Sequence, residues 1–70
     1  MSSQGIFMVF CAEQYKMAKR VDRQALSELF RMYRVWEYIY TCYEALHTTG
    51  TNYIINDIDL YIEARQLSMV

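Results

Sequence analysis

Proline is absent from this chain, glycine and cysteine occur twice each, and histidine occurs once. Each scarcity removes a class of protein. With no proline and no Gly/Ser-rich stretch, nothing marks a linker, and the 70 residues read as one domain, residues 1–70 with a structured core at 4–66. Cys11 and Cys42 form no CxxC and no disulfide framework; they read as small buried apolar residues of a reducing compartment. One histidine and two scattered cysteines are too few for a structural zinc site, so no metal is expected. Gly5 and Gly50 alone cannot build a phosphate-cradling loop. Long apolar runs are missing too. The longest, Ile6 to Ala12, is seven residues, too short to span a membrane and without the basic flank of a signal peptide. The expectation is a cytoplasmic chain that does not enter membranes.

What is present is apolar and aromatic. Hydrophobic residues make up 54% of the chain and aromatics 16%, including seven tyrosines. A chain this short buries only about 60% of the surface its unfolded form exposes, so its core needs a supplement. With disulfide and metal set aside, that supplement is oligomerisation or a partner. Tyrosine suits a surface that is wet at one time and covered at another. The net charge is −1 but uneven. Lys16 to Arg34 holds six basic and two acidic residues, +4; Glu37 to Glu63 holds five acidic and no basic residues, −5. The two stretches should attract each other; the charge reads first as ordinary helix surface, and the sharper alternative is a polarised surface that steers a partner.

The apolar spacing is helical almost throughout. A first helix runs from about Gln4 to Arg20, capped by Ser2 or Ser3. Ile6, Phe10, Met17 and Val21 share one face of it, flanked by Phe7 and Gln14, while Met8, Ala12 and Tyr15 fall opposite. Two apolar stripes exceed what a surface helix needs, so the helix is expected either to lie centrally in the bundle or to keep one face for another chain. A second helix, about Arg23 to Tyr33, is capped by Asp22 and stripes Leu26, Leu29, Phe30 and Tyr33. After a turn at Arg34-Val35 a third runs from about Trp36 to His47, with Val35, Trp36, Ile39, Cys42, Tyr43 and Leu46 inward and Glu37, Thr41 and Glu44 outward. The fourth, about Asn52 to Arg65, stripes Ile54, Ile55, Ile58, Tyr61 and Ile62, with Asn56, Asp59 and Glu63 solvated and Gln66 to Val70 fraying. The fold expected is all-α, a small compact bundle of four short helices.

The only histidine sits in the corner His47-Thr48-Thr49-Gly50. It reads as a helix end. His47 can donate to the last carbonyls, the threonines bond the turn, and Gly50 supplies a left-handed reversal. Catalysis has no constellation to use. Ser2, Ser3, Ser27 and Ser68 lie at the termini or on a helix, and Cys42 is poorly placed for His47 on the same helix. No catalytic residue, cofactor or small-molecule substrate is expected. A helix-turn-helix could be drawn from the second and third helices, making a DNA-binding regulator. But Glu37 and Glu44 on the recognition face oppose phosphate, and the pI is about 5.7. The strongest signal is the surplus of apolar and aromatic residues off the core stripes. A partner-binding surface is expected at Met8, Ala12, Tyr15, Lys16, Tyr38, Tyr40, Tyr53 and Leu60, with His47 on its rim. The alternative is a structural homodimer packed through the first helix.

Phe7, Cys11, Glu13, Tyr15 and Lys16 fit the pattern F-x-x-x-C-x-E-x-Y-K. Leu29, Phe30 and Tyr33 give L-F-x-x-Y, followed by Tyr38-Ile39. Tyr43 to Gly50 gives Y-x-x-L-H-T-x-G, and Tyr53 to Ile62 gives Y-I-I-x-D-I-D-x-Y-I. In this order, over residues 7 to 62, they resemble a small bacterial helical domain family of unknown function. The resemblance implies a short helical protein often encoded beside a toxin-like ADP-ribosyltransferase domain, and from that neighbourhood a partner-binding or antitoxin-like role. It carries no catalytic residues. The family pattern has glycine after the tyrosine at position 33; Arg34 here implies a turn that needs no left-handed residue.

Overall fold

Ser2 opens the chain's first helix. Its Oγ accepts from the Gly5 N–H at 3.1 Å, satisfying one of the donors a helix N-terminus leaves free. The computed structural model describes residues 2–68. Helix α1 is Ser3–Lys19, α2 Arg23–Met32, α3 Val35–Thr41, α4 Tyr43–Leu46 and α5 Thr51–Ser68. The described residues contain no strand, so the fold is all-α. Asp22 caps α2, its Oδ1 accepting from the Ala25 N–H at 2.7 Å. The helix expected from Trp36 to His47 is two pieces, because Cys42 at φ −94°, ψ 14° steps off helical geometry. α5 begins one residue earlier than expected and stays helical through Gln66 to Ser68; residues 69 and 70 lie outside the described set.

α1 packs on α5, α3 and α2, and α2 packs on α3. Phe30, Val35, Ile39, Ile54 and Ile58 are almost fully buried with Cys11, and Leu26 and Ile62 join them. The radius of gyration, 11.5 Å, is close to the roughly 11 Å of a compact chain this long. On α2, α3 and α5 the stripes read from spacing are the buried ones. On α1 they are reversed. Cys11, Ala12 and Tyr15 are buried, whereas Ile6, Phe10 and Met17 are exposed, with Val9 among them. Both faces are apolar, so hydropathy could not choose. Two physical features explain the choice: small Cys11 and Ala12 let neighbouring helices approach, and the Tyr15 hydroxyl reaches a carboxylate on α5.

The turns correct the glycine expectations. Gly50 has no positive φ. Thr49 closes the turn after α4, its hydroxyl and its N–H both donating to the Leu46 carbonyl at 2.7 and 3.0 Å. The left-handed positions belong to Arg20 (φ 56°) and Arg34 (φ 57°, ψ 40°). Arg34 therefore does occupy the conformation its identity seemed to exclude. A side chain there costs about 1–2 kcal/mol that glycine avoids, partly offset by glycine's greater freedom when unfolded. Arg34→Gly is expected to raise stability by about 0.5–1 kcal/mol and Tm by about 2–8 °C, read by urea and thermal unfolding. An unchanged or lower midpoint would show that the turn is unstrained.

Candidate functional site

α5 carries two carboxylates that tie the bundle together. The Tyr15 hydroxyl donates to Asp59 Oδ1 at 2.7 Å, and Lys19 pairs with Asp59 Oδ2 at 2.5 Å. The Tyr38 hydroxyl donates to Asp57 Oδ2 at 2.5 Å. Tyr38 also stacks on Tyr61 with 4.0 Å between ring centres, and Tyr61 reaches the Arg34 carbonyl. Burial, then the hydrogen bond and the nearby carboxylate charge, pushes both the Tyr15 and Tyr38 phenols well above their ordinary range. Asp59, expected in solvent, is half-buried and doubly engaged. The attraction expected between the basic and acidic stretches is realised at Lys19–Asp59.

These contacts sort the residues expected to bind a partner. Tyr15 and Ala12 are core, 5% and 4% exposed, so neither offers a surface. Tyr15 packs on Phe30 with 5.5 Å between ring centres. Tyr38 is half-buried and occupied by α5. Lys16 is half-buried and paired with Glu13 at 3.3 Å. Tyr40, Tyr53 and Leu60 are exposed as expected. His47 is exposed as well, but it is spent on the helix end. Its Nδ1 meets the Tyr43 carbonyl at 2.7 Å, so that nitrogen carries the proton, and its ring lies flat on Tyr43 at 4.4 Å.

Exposed apolar residues outside the expected set complete the surface. Ile6, Phe10 and Met17 form a line on α1 facing away from the core; on α5, Leu67 extends Tyr53 and Leu60 into a line repeating every seven residues. An inspection of the outward face for surplus Ile, Phe and Met would have found the α1 line; Leu67 was hidden by the expectation of fraying.

Two hollows open on the surface. One, about 460 Å³, lies between α1 and α5 beside Tyr15, Lys19, Asp59, Leu60 and Glu63. The other, about 340 Å³, is lined by Met8 of α1 and Trp36, Glu37, Tyr40 and Thr41 of α3. Met8 and Tyr40 of the expected surface thus meet in one groove. Among the described residues no three His, Cys, Asp or Glu side chains converge on a point where a metal could sit. Burial raises the Cys11 thiol to about 11, which leaves it a poor nucleophile at neutral pH. No described helix is long and apolar enough to cross a membrane.

The chain belongs to the family described as protein of unknown function (DUF3791), whose profile matches residues 6–65. No curated protein and no solved structure matches it.

Proposed function

We propose that this protein works by binding another protein, as the small accessory or neutralising partner of a bacterial toxin-like enzyme. One observation carries the binding role: the two longest helices each hold an apolar line pointing away from a core that is already filled. Tyr53, Leu60 and Leu67 are 58%, 56% and 78% exposed on one helix face. Single exposed apolar residues need no explanation, but a line at helical spacing is what a partner surface covers. The toxin-like partner rests on the gene neighbourhood that the resemblance implies. The acidic outward residues of α3 speak against nucleic acid as the ligand.

The test is recovery of the partner with the tagged chain from its native host, followed by binding measurements on the purified pair. Leu60→Ser with Tyr53→Ser is expected to weaken that complex at least about tenfold, equivalent to 1.4 kcal/mol. Surface changes of this kind leave stability within about 0.5 kcal/mol. Undiminished binding by the folded double variant would rule out the α5 line as the interface. The line on α1 favours a second reading, a homodimer joined through that helix. Light scattering on the eluting chain decides it, since a monomer at high concentration removes the homodimer.

A further inference from the structure

The groove between α1 and α3 differs in chemistry from the two outward lines. Trp36 and Tyr40 stand one turn apart on α3, and Met8 of α1 forms another part of the wall. Trp36 is held edge-on against buried Phe30, with 5.1 Å between ring centres, so the indole is positioned before anything binds. Tyr40 is 57% exposed. The hollow of about 340 Å³ is at the small end of ligand pockets, which run from about 300 to 1,000 Å³. It is too small for a helix and large enough for one long side chain.

Glu37 is the single charged residue lining the groove. It is exposed and pairs with no base among the described residues. Glu44 follows two turns on, and no lysine or arginine occurs from Glu37 to Glu63. The groove is therefore largely apolar and aromatic, with one carboxylate in its lining. Aromatic faces attract cations. A carboxylate takes a guanidinium through two parallel hydrogen bonds, and the guanidinium plane also stacks on aromatic rings. A purely apolar occupant would strip water from Glu37 and return nothing. An acidic one would be repelled.

We propose that this groove receives an arginine side chain of the partner protein. Its guanidinium meets Glu37 and lies over the Trp36 and Tyr40 rings, and its methylenes lie along Met8. This rests on the protein-binding function above and adds the chemistry of the partner at one point. Because Trp36 is the chain's only tryptophan, emission excited where tyrosine does not absorb comes from an indole that lines the groove. Titration of the full chain with N-acetyl-arginine amide is expected to give a saturable change in that emission. Glu37→Gln, at an exposed position, should keep the helical spectrum and weaken the response about fivefold. N-acetyl-leucine amide should give no saturable change, and N-acetyl-lysine amide a weaker one than arginine. The proposal is overturned by a wild-type chain that does not respond, by an unaltered response in Glu37→Gln, or by leucine or lysine amide equalling arginine. The two ideas fail separately. A groove that ignores arginine while the partner complex still depends on Leu60 loses the arginine site alone. Arginine binding with a complex indifferent to Leu60 loses the α5 surface alone.

Discussion

Tyr15→Ala is expected to bring the domain close to unfolding, while Tyr40→Ala leaves it folded. Tyr15 is 5% exposed and fixed on three sides: its ring packs on Phe30, its hydroxyl donates to Asp59, and the Lys19 ammonium lies 5.9 Å from its ring centre. Truncating a buried aromatic to alanine costs about 3–5 kcal/mol. A chain this length has about 4–10 kcal/mol in total, so the loss takes from about a third of it to all of it. Asp59 is also left with Lys19 alone. Tyr15→Phe separates the terms: it keeps the ring and removes the hydroxyl, for about 1–2 kcal/mol. Urea unfolding followed by circular dichroism should give a graded order, wild type and Tyr40→Ala together, then Tyr15→Phe, then Tyr15→Ala with a weak or lost transition. A Tyr15→Ala variant as stable as Tyr40→Ala would mean that α1 does not present Cys11, Ala12 and Tyr15 to the core.

That α1 could be read backwards shows where the sequence is informative. On α2, Leu26 and Phe30 stand against Gln24, Glu28 and Arg31, and this polarity leaves one way to bury the helix. α1 offers Ile6, Phe10 and Met17 on one side and Met8, Cys11, Ala12 and Tyr15 on the other. Greasiness favours the first set, and packing takes the second. The deciding contact, Tyr15 to Asp59, joins residues 44 apart, and local spacing cannot report it. Caps are local and were legible: Ser2 and Asp22 each bond the N–H three residues on. Left-handed turns were not. Glycine is where they are sought, but Arg20 and Arg34 hold them and Gly50 does not. For the surface, composition indicated too many apolar residues for the core. Helical spacing put Tyr40, Tyr53 and Leu60 on the exterior, where they are exposed, and Ala12 and Tyr15 there too, where they are buried. The pairing of Met8 with Trp36, Glu37 and Tyr40 required two helices to be placed in space.

Alkali should dismantle this fold more sharply than acid chemistry at a single site would. Three groups keep their protons in the folded chain when the unfolded chain has lost them. Burial lifts the Cys11 thiol from 9.0 to about 11. Burial, followed by hydrogen bonds to Asp59 and Asp57, lifts the phenols of Tyr15 and Tyr38 above 10.0. In each case the folded value is the higher one. The unfolded state then binds fewer protons, and stability falls as pH rises. The contribution is whole below about pH 9, where neither state has ionised. It starts to shrink when the unfolded thiol ionises and drops steeply past pH 10, where the unfolded phenols follow. Each group removes at most about 1.4 kcal/mol per pH unit; the unfolded phenols are only half ionised at pH 10 and the folded Cys11 thiol itself ionises near pH 11, so the three together remove less than about 4 kcal/mol between pH 10 and 11, still a large share of the stability of so small a domain. Urea midpoints should be flat from neutrality to about pH 9 and collapse by about pH 11. The tyrosinate absorbance of Tyr15 and Tyr38 should rise together with the loss of helix. Tyr38→Phe keeps the ring stack on Tyr61 and removes one ionisable group. It should start less stable at neutral pH, because Asp57 loses its donor, yet lose stability less steeply above pH 10, so the two curves converge. Parallel curves, or midpoints flat to pH 11, would mean that the tyrosine–aspartate contacts do not hold the phenol protons in the folded chain.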